Sequence, residues 1–486
     1  MQNKLSRAAT WLAGLLILLA VFFMPITSLP FLSRLMGGTM VAPPSVVLAG
    51  LALVIWLPVR LAQREPLPRE YVPLAAFVAA ALVSSFLSFF ISIPSYKQIS
   101  SVSEIIGAVL TLCIGLVSYA AFSLWGVKKE RFTWIFRMVN LGGAIMLLWA
   151  FAQLYILFLH NEDYPSWMMK FQNLISTSSL SAYSFLHRAN GFAFEPSWLA
   201  HQLNIIYLPY WLGATLTGYT AFGKRLWKIS IENILLAGGL AALLGSMSRI
   251  GLLTLLLLAA YLVFRFTQFL ARRLARRFAR PRQSAMLIGA GLFLVYGVLA
   301  LGLVFAMSKV DPRLAAIFDV SKFSSDWFTT ANNLALAERV SYWSVGLQTF
   351  GRYPIFGVGL GNAGFFFWQS IPIRAPGLLE VIKLDLQFAS LPNVKNLWLR
   401  LLGETGLAGF GLFASWLYLL WTVGKFLQSK LDLIYRAIGW MGLLTIIAVI
   451  GEGFSVDSFA MPYYWIALGI LTAAGFMARR EVENKQ

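Results

Sequence analysis

The chain has 486 residues, of which 59% are hydrophobic and only 12% are charged, and its mean hydropathy is +0.72. Soluble globular proteins carry roughly a quarter charged residues, so this composition excludes a soluble fold. The formal net charge of +19 does not indicate nucleic-acid binding, because the basic residues stand in short clusters between apolar runs. The composition therefore predicts an integral membrane protein with no nucleic-acid partner.

A helix needs about 20 mostly apolar residues to cross the hydrocarbon, because its backbone groups must be satisfied within the segment. The apolar runs predict about twelve transmembrane helices, near residues 10–29, 39–58, 72–93, 104–124, 133–159, 197–217, 231–247, 249–267, 284–307, 400–423, 437–455 and 462–478. No small-x-small cleavage site follows the first run, so we expect it to stay as the first helix.

Basic residues are divided unequally among the connections between these predicted spans. If the N-terminus is cytoplasmic, the short outer loops hold only Arg34, Lys97 and Arg249. The inner connections hold many more, including the stretch with Arg272, Arg273, Arg276, Arg277, Arg280 and Arg282. By the positive-inside rule we expect both termini in the cytoplasm, with the protein crossing a bacterial plasma (inner) membrane many times.

The same map divides the chain into three parts. Residues 1–307 would carry the first nine spans with an outer segment at 160–196, and 400–486 the last three spans and a cytoplasmic tail. Between them, 308–399 would form a large periplasmic or extracellular loop. Such a long loop usually carries function or is disordered, and its aromatic content favours order.

Within this loop the sequence indicates a partly helical structure. Ser325 or Asp326 is placed to cap a helix that would run to about Phe350. The leucine-rich stretch 377–391 is expected to lie along the membrane interface.

Outer segments hold arginine beside the ends of several spans. Arg188 and Glu195 stand just before the sixth span, where Pro196 suits the first helical turn and a carboxylate complements the helix N-terminus. A capped helix start is the alternative interpretation of this pair. Arg249 sits in a minimal outer turn, where a cation that snorkels to the bilayer edge is the alternative.

The long loop contains the densest motif, from Arg339 to Asn362. Arg339 and Trp343 are four residues apart and would share one face of a helix, and Arg352 follows. The glycine run 357–361 is no nucleotide loop, since no strand precedes it. A tight turn that brings backbone amides close to an anion or to a neighbouring helix is the expectation for it.

A third stretch leads into the tenth span, with Lys395, Asn396, Trp398, Arg400 and Glu404. An interfacial anchor of tryptophan, lysine and arginine is the alternative to a functional role here.

Metal or nucleophilic chemistry finds little support in the sequence. The three histidines are His160, His187 and His201, no outer acidic pair has ligand-like spacing, and the single cysteine, Cys113, lies in an apolar run. We therefore predict no metal and no cofactor. What remains is a set of outer arginines able to clamp a diphosphate through paired hydrogen bonds, with carboxylates as proton acceptors.

These stretches, in this order, resemble the O-antigen ligase and Wzy-type polysaccharide polymerase superfamily. Arg188 to Ala200 looks like the family's Arg-x-x-Gly-Phe segment, and Ser248 to Gly251 like its Ser-Arg turn. Arg339 to Asn362 is similar to the family's Arg, Trp, Pro and Gly-x-Gly-x-Gly-Asn stretch, and Asn396 to Gly409 to its Glu-x-Gly-Leu ending. The family's topology of about twelve spans with a large outer loop agrees with the hydropathy map.

The resemblance implies an all-α, GT-C-like membrane glycosyltransferase that inverts its sugar centre without a metal. Its donor would be a glycan on undecaprenyl diphosphate at the outer face, its acceptor a glycan or lipid, and its further partners membrane lipids and other polysaccharide assembly proteins. In this reading Arg249 and Arg339 stabilise the departing diphosphate, and Glu195 and Glu404 are the proton acceptors. The substrate-binding residues would be Arg188, Arg352, Trp343, Lys395 and Asn396.

One departure bears on the branch of the superfamily. In ligases the asparagine corresponding to Asn396 follows a histidine thought to activate the acceptor, and here that position is Lys395. Lysine with its ordinary pKa near 10.4 is a poor base unless desolvated or beside other cations, so the sequence favours a polymerase. A ligase, a transporter or flippase, and a non-catalytic subunit are the alternatives. Spans nearly free of charge, with Glu452 the chief exception, argue against a transporter.

Overall fold

The computed structural model of the protein describes residues 2–125, 128–157, 164–180, 188–274, 281–386 and 390–484. Within these ranges the chain forms helices and turns, with isolated bridges and no β-strand. The prediction of a helical, polytopic membrane protein is confirmed. His160 and His187, together with most of the basic stretch after Arg273, lie outside the described residues.

The helices are numbered here in chain order over the described residues. The first ten are α1 Gln2–Phe22, α2 Pro30–Leu35, α3 Pro44–Ala62, α4 Tyr71–Leu87, α5 Ser101–Trp125, α6 Lys129–Tyr155, α7 Ser166–Ile175, α8 Pro196–Gln202, α9 Leu208–Thr217 and α10 Ile231–Gly245. The later ones are α11 Arg249–Leu274, α12 Pro281–Ser308, α13 Pro312–Phe318, α14 Trp327–Asn333, α15 Ala337–Arg352, α16 Phe367–Ser370, α17 Leu379–Leu386, α18 Leu397–Gln428, α19 Leu433–Glu452 and α20 Pro462–Glu483.

Eight of the described helices are long and apolar enough to cross a membrane, namely α3, α4 with its 3₁₀ extension to Phe90, α5, α6, α11, α12, α18 and α19. Two more predicted spans, in α1 and α10, are apolar but shorter. The sixth predicted span is interrupted, because a π-helical turn, Leu203–Tyr207, joins α8 to α9. The exact number of twelve spans and the GT-C-like architecture stay predictions.

Packing separates central helices from peripheral ones. Helix α19 lies at the centre against α9, α11, α18 and α20, and 72% of its most apolar window is buried. Helix α12 is peripheral, packs against α11 and α13, and has none of its most apolar window buried inside the protein. Side chains exposed on such spans are largely apolar, as a hydrocarbon surrounding requires.

The basic helix ends that the charge map assigns to the cytoplasm meet one another. Arg479 Nη2 lies 2.7 Å from Glu70 Oε1, and Lys129 pairs with Asp432. These contacts join the start of α4 to the end of α20 and the start of α6 to the start of α19. The side of the membrane on which they lie stays a prediction.

The outer segment departs from the predicted single helix. Asp326 caps a helix as expected, accepting from the backbone N of Thr329, but α14 ends at Asn333 and α15 begins at Ala337. The prediction of one helix to Phe350 is therefore wrong. The chain turns at Ala335, whose φ of 52° is left-handed, and the turn's carbonyls accept hydrogen bonds from Arg249. The leucine-rich stretch forms α17, and its place at an interface stays a prediction.

Candidate active site

A cavity of about 590 Å³ lies where the outer segment meets the ends of the membrane helices. Its walls come from the start of α8, the first turns of α11, the end of α12, α13, the turn between α14 and α15, α15 itself, and the loop after α19. Its charged lining side chains are Arg188, Glu195, Arg249, Arg313 and Arg339. Four of these five residues were singled out by sequence, and four of the five are cations.

The carboxylate of the cavity is held at the start of α8. Glu195 has extended backbone at the N-cap position, Pro196 follows at the first helical position, and the side chain of Ser197 donates a hydrogen bond to Glu195 Oε1. A helix does start here, but among the described residues the Glu195 side chain accepts no capping hydrogen bond from the helix backbone. The side chain lines the cavity instead, and its role in a reaction stays a prediction. Arg188 is anchored beside it by a 3.0 Å hydrogen bond from Nε to the carbonyl of Ser246.

Arg249 joins the membrane helices to the outer segment. Its Nη1 donates to the carbonyl O of Leu334 and its Nη2 to that of Ala335, both at 2.9 Å. These carbonyls lie just after the end of α14, where no further helical turn supplies N–H donors to them. Arg249 therefore lines the cavity and also fixes the turn that leads into α15, rather than snorkelling to lipid.

Arg339 and Trp343 lie on one face of α15 and both line the cavity, as their spacing predicts. Within the described part of the chain, the guanidinium of Arg339 has no hydrogen bond or ion pair with another residue. The Trp343 ring lies 6.0 Å from that of Phe454. Arg339 thus presents its donors to whatever enters the cavity.

Arg313 is a cavity residue that the sequence reasoning missed. Its Nε and Nη2 bind Asp311 Oδ1 and Oδ2 at 3.0 and 2.8 Å, and Nη2 also reaches the carbonyl of Met247 at 3.1 Å. Burial alone would raise the pKa of Asp311, but the hydrogen bonds and charge of Arg313 hold it below its usual value. The signal available in the sequence was an arginine six residues after the end of the ninth predicted span.

Apolar side chains form a large part of the remaining cavity wall. They come mainly from α11, the end of α12 and α13, and include Leu252, Leu253, Leu256, Val304, Leu314 and Ile317. The site therefore combines cationic and apolar surfaces, which suits a ligand that has both an anionic group and a hydrocarbon part.

Four of the predicted residues, Arg352, Glu404, Asn396 and Lys395, do not line this cavity. Arg352 lies at the far end of α15, where Nη1 donates to Gln369 Oε1 at 3.0 Å on the protein surface. Glu404 is buried inside α18 and pairs with Arg400, with Nε 3.0 Å from Oε2. Asn396 caps α18 by accepting from the backbone N of Trp398 and Leu399, which is a helix-capping role.

Lys395 lies next to the cavity rather than on its lining. Its Nζ pairs with Glu380 of the outer segment and stands 3.9 Å from the ring centroid of Tyr342, while its backbone N donates to Asp457 Oδ2 at 2.9 Å. Burial, followed by the nearby charge of Arg339, lowers the pKa of Lys395 to about 8. The lysine is thus both desolvated and beside a cation, the two conditions under which a lysine can act as a base near neutral pH.

Residues 234–414 match the family model described as O-Antigen ligase. The resemblance to the O-antigen ligase and Wzy-type superfamily is confirmed. No curated protein matches the chain. The family implies an integral membrane protein of the glycan-transfer enzyme class that takes lipid-linked glycans.

The segment matching the O-antigen ligase family contains much of the cavity but not all of it. Arg249, Arg313, Arg339 and Trp343 lie within residues 234–414, whereas Arg188 and Glu195 come earlier in the chain. In the part of the chain that the structure describes, no group of three or more His, Cys, Asp or Glu residues is placed to hold a metal ion.

The glycine run, residues 357–361, packs against the membrane helix α18 and does not line the cavity. Helix α18 is broken at Gly406, which has φ 63° and ψ −167°. Across the break, Val358 and Gly359 donate to the carbonyls of Gly403 and Glu404 at 3.0 and 2.9 Å. The NH groups freed on the other side, at Leu407 and Ala408, donate to Pro354 and Ile355. Of the two expectations for this turn, the approach to a neighbouring helix is confirmed.

Proposed function

We propose that this protein polymerises undecaprenyl-diphosphate-linked glycan repeat units at the outer face of the plasma membrane, as a metal-independent, inverting glycosyltransferase. The observation that carries the proposal is the cavity that gathers four arginines, one carboxylate and an apolar wall, in a chain that matches the O-antigen ligase family. A lipid diphosphate has the charge and the hydrocarbon that such a site complements.

In this proposal the arginines stabilise the leaving group. As the bond between the sugar C1 and the phosphate oxygen breaks, the electron pair stays on the diphosphate, and pre-oriented guanidinium groups lower the cost of that charge. Arg339 is the strongest candidate because its donors have no partner within the described residues. Arg249, Arg188 and Arg313 keep their positions through bonds to backbone carbonyls or to Asp311 and add positive potential.

The acceptor hydroxyl attacks C1 from the opposite face, and its proton needs an acceptor as the new bond forms. Glu195 lines the cavity and is the carboxylate we assign to this step. Glu404, the other sequence candidate, is engaged by Arg400 away from the cavity lining, so we leave it out of the reaction. Trp343 offers an apolar face beside Arg339 for packing against a sugar ring.

A ligase that transfers a finished glycan is the second candidate, and Lys395 favours it. The sequence argument against a ligase was that an ordinary lysine is a poor base, but burial and Arg339 bring this lysine's pKa to about 8. A transporter is not favoured, because the cavity's charges lie at helix ends rather than at mid-span.

The test is the size profile of lipid-linked glycan in the native host with and without the gene. A polymerase predicts that deletion makes single repeat units accumulate on the lipid carrier and removes longer chains. Return of the long chains with the wild-type gene, and not with Arg339→Lys, would assign the loss to this site. If long chains persist on the carrier but never reach their final acceptor, the protein is a ligase and the polymerase proposal is wrong.

A further inference from the structure

Glu452 is a fully buried carboxylate at the last residue of α19, a membrane-spanning helix. Its Oε1 accepts a 2.7 Å hydrogen bond from Asn204 Nδ2, and its Oε2 lies 3.4 Å from His201 Nδ1. A carboxylate in such a place is expensive, all the more at the C-terminal end of a helix, where the helix dipole is negative. Such groups inside membranes usually serve function, yet none of the proposed chemistry uses this one.

The contacts of Asn204 connect the elements that carry cavity side chains. Its Nδ2 donates both to Glu452 and, at 2.9 Å, to the carbonyl O of Gly251, which is two residues after Arg249. Glu452 in turn stands two residues before Phe454, and the backbone N of Ser455 donates to its carbonyl at 2.9 Å. The side-chain amide of Asn204 thus contacts the first turn of α11 directly and the loop after α19 through Glu452. Both of these elements line the cavity.

His201 connects a third cavity element, helix α8, to Glu452. This residue lies one turn along α8 from Ser197, which lines the cavity, and its ring centroid is 5.7 Å from that of Tyr463. Asn204 itself belongs to the π-helical turn that follows α8. Single π-turns are rare and are found frequently at functional sites.

Several buried polar atoms around this cluster have no hydrogen-bond partner among the described residues. These atoms are both ring nitrogens of His201, both side-chain amide atoms of Gln202, Asn204 Oδ1, Tyr207 OH, Thr254 Oγ1, Glu452 Oε2 and Tyr463 OH. All seven residues are at most 3% exposed. Buried polar groups in folded proteins are nearly always hydrogen-bonded, and ordered water supplies the bonds that protein groups do not.

We propose that Asn204, Glu452 and His201 are positioning residues, forming a polar brace, completed by ordered water, that holds Arg249 and the Phe454–Ser455 loop in place on the cavity wall. The His201 ring completes the contact on the α8 side, with its Nδ1 3.4 Å from Glu452 Oε2. This inference rests on the proposed function, since it assigns these residues to the same site.

The test compares near-isosteric variants in purified full-length protein, assayed for glycan transfer with lipid-linked donor. Asn204→Leu and Glu452→Met each remove the brace, and we expect kcat to fall by about tenfold to a hundredfold, because ångström-scale displacement of a reacting group costs that much. We expect KM for the donor to change far less. The double variant should lose no more than the worse single variant, since both act through one contact.

Two further variants separate positioning from folding. Glu452→Gln keeps an oxygen acceptor for Asn204 without a charge and should restore most of the activity that Glu452→Met loses. Thr445→Val is the matched control, because Thr445 donates a buried 2.7 Å hydrogen bond to the carbonyl of Ile205 in the same π-turn. This bond ends on no residue that lines the cavity.

The outcomes distinguish the two proposals. Inactive wild-type protein contradicts the proposed function, whereas active wild-type protein with unchanged kcat in Asn204→Leu and Glu452→Met contradicts the brace alone. If Thr445→Val loses as much kcat as Asn204→Leu, the network supports the fold and positions nothing. An additive double variant would likewise overturn the single-brace inference.

Discussion

Two regions of the molecule carry its densest motifs, and they use their polar groups in opposite ways. In the cavity, the segments at Glu195, Arg249 and Arg339 turn charged side chains toward an open volume of about 590 Å³. At the glycine run, backbone groups from Pro354 to Gly359 form hydrogen bonds with the broken helix α18. Both regions are dense in residues that suggest function, but only the first leaves donors available to a ligand.

The difference shows what a motif can and cannot indicate. A helix broken inside the membrane exposes backbone groups that lipid cannot satisfy, so another backbone must approach closely enough to pair with them. Gly357 permits that approach, since a Cβ at this position would lie 2.5 Å from the backbone C of Glu404. The run is therefore required by the fold, and the cavity is where substitutions should affect chemistry with little effect on stability.

The largest expected effect is a loss of transfer activity when Arg339 is replaced. Arg339→Lys keeps the positive charge but removes the planar pair of donors, so we expect transfer activity to fall by about 10²- to 10³-fold, the cost of losing one pre-oriented donor. Folded yield should not change. Arg374→Lys is the control, because Arg374 is an exposed arginine of the same outer segment whose Nη1 lies 2.5 Å from Asp326 Oδ2. Full activity in Arg339→Lys would remove the diphosphate clamp from the proposal.

The next largest effect is a loss of stability when Gly406 is replaced. Gly406 occupies a backbone region open almost only to glycine, and a Cβ there would lie 2.2 Å from the carbonyl O of Ile355. We expect Gly406→Ala to destabilise the protein by about 1–3 kcal/mol or more, the usual cost of such strain. Thermal unfolding in detergent measures this. Gly411→Ala in the same helix, where nothing lies within 4 Å of the added Cβ, is the control and should unfold with the wild type. Equal loss in both variants would contradict the account of the break.

The sequence predicted the positions that depend on local structure better than those that depend on long-range packing. Helical periodicity placed Arg339 and Trp343 on one face, and local helix-start chemistry placed Glu195, because both are properties of neighbouring residues. Glu404 is buried in α18 two residues before the break at Gly406 and does not line the cavity, a placement that depends on long-range packing. Arg313 was missed because its place in the cavity follows from how α12 and α13 pack.

The turn at Ala335 illustrates the same limit on a single helix. Nothing in the local sequence requires a break there, and alanine rarely adopts a left-handed backbone. The partner that stabilises the turn is Arg249, 85 residues from Leu334. Long-range packing decided the element boundary, and local propensity could not.

An intermediate effect is expected at Lys395, which contacts the outer segment beside the cavity. Because burial and Arg339 lower its pKa to about 8 in the folded protein, the unfolded chain binds more protons between about pH 8 and pH 10.5. Stability should therefore rise with pH across that window in the wild type, and this rise should be smaller in Lys395→Met. Thermal unfolding between pH 7.5 and pH 10 measures it.

The same variant tests the branch of the superfamily. If Glu195 accepts the proton, Lys395→Met should keep activity within a few-fold and keep the shape of the pH profile. If Lys395 is the base, wild-type activity should rise as pH passes about 8, and the variant should lose both that rise and most of its activity. The second result would favour the ligase.

The smallest effect is expected at Arg352, which ends the same helix that carries Arg339. Its guanidinium donates to Gln369 on an exposed surface and does not line the cavity. A surface hydrogen bond of this kind contributes little, so Arg352→Ala should keep stability within about 0.5 kcal/mol and activity within about twofold. The two arginines thus form an internal comparison on one helix, read by the same transfer assay. A tenfold loss of activity in Arg352→Ala at unchanged stability would mean that the growing glycan runs along α15 beyond the cavity, which would extend the site toward Gln369.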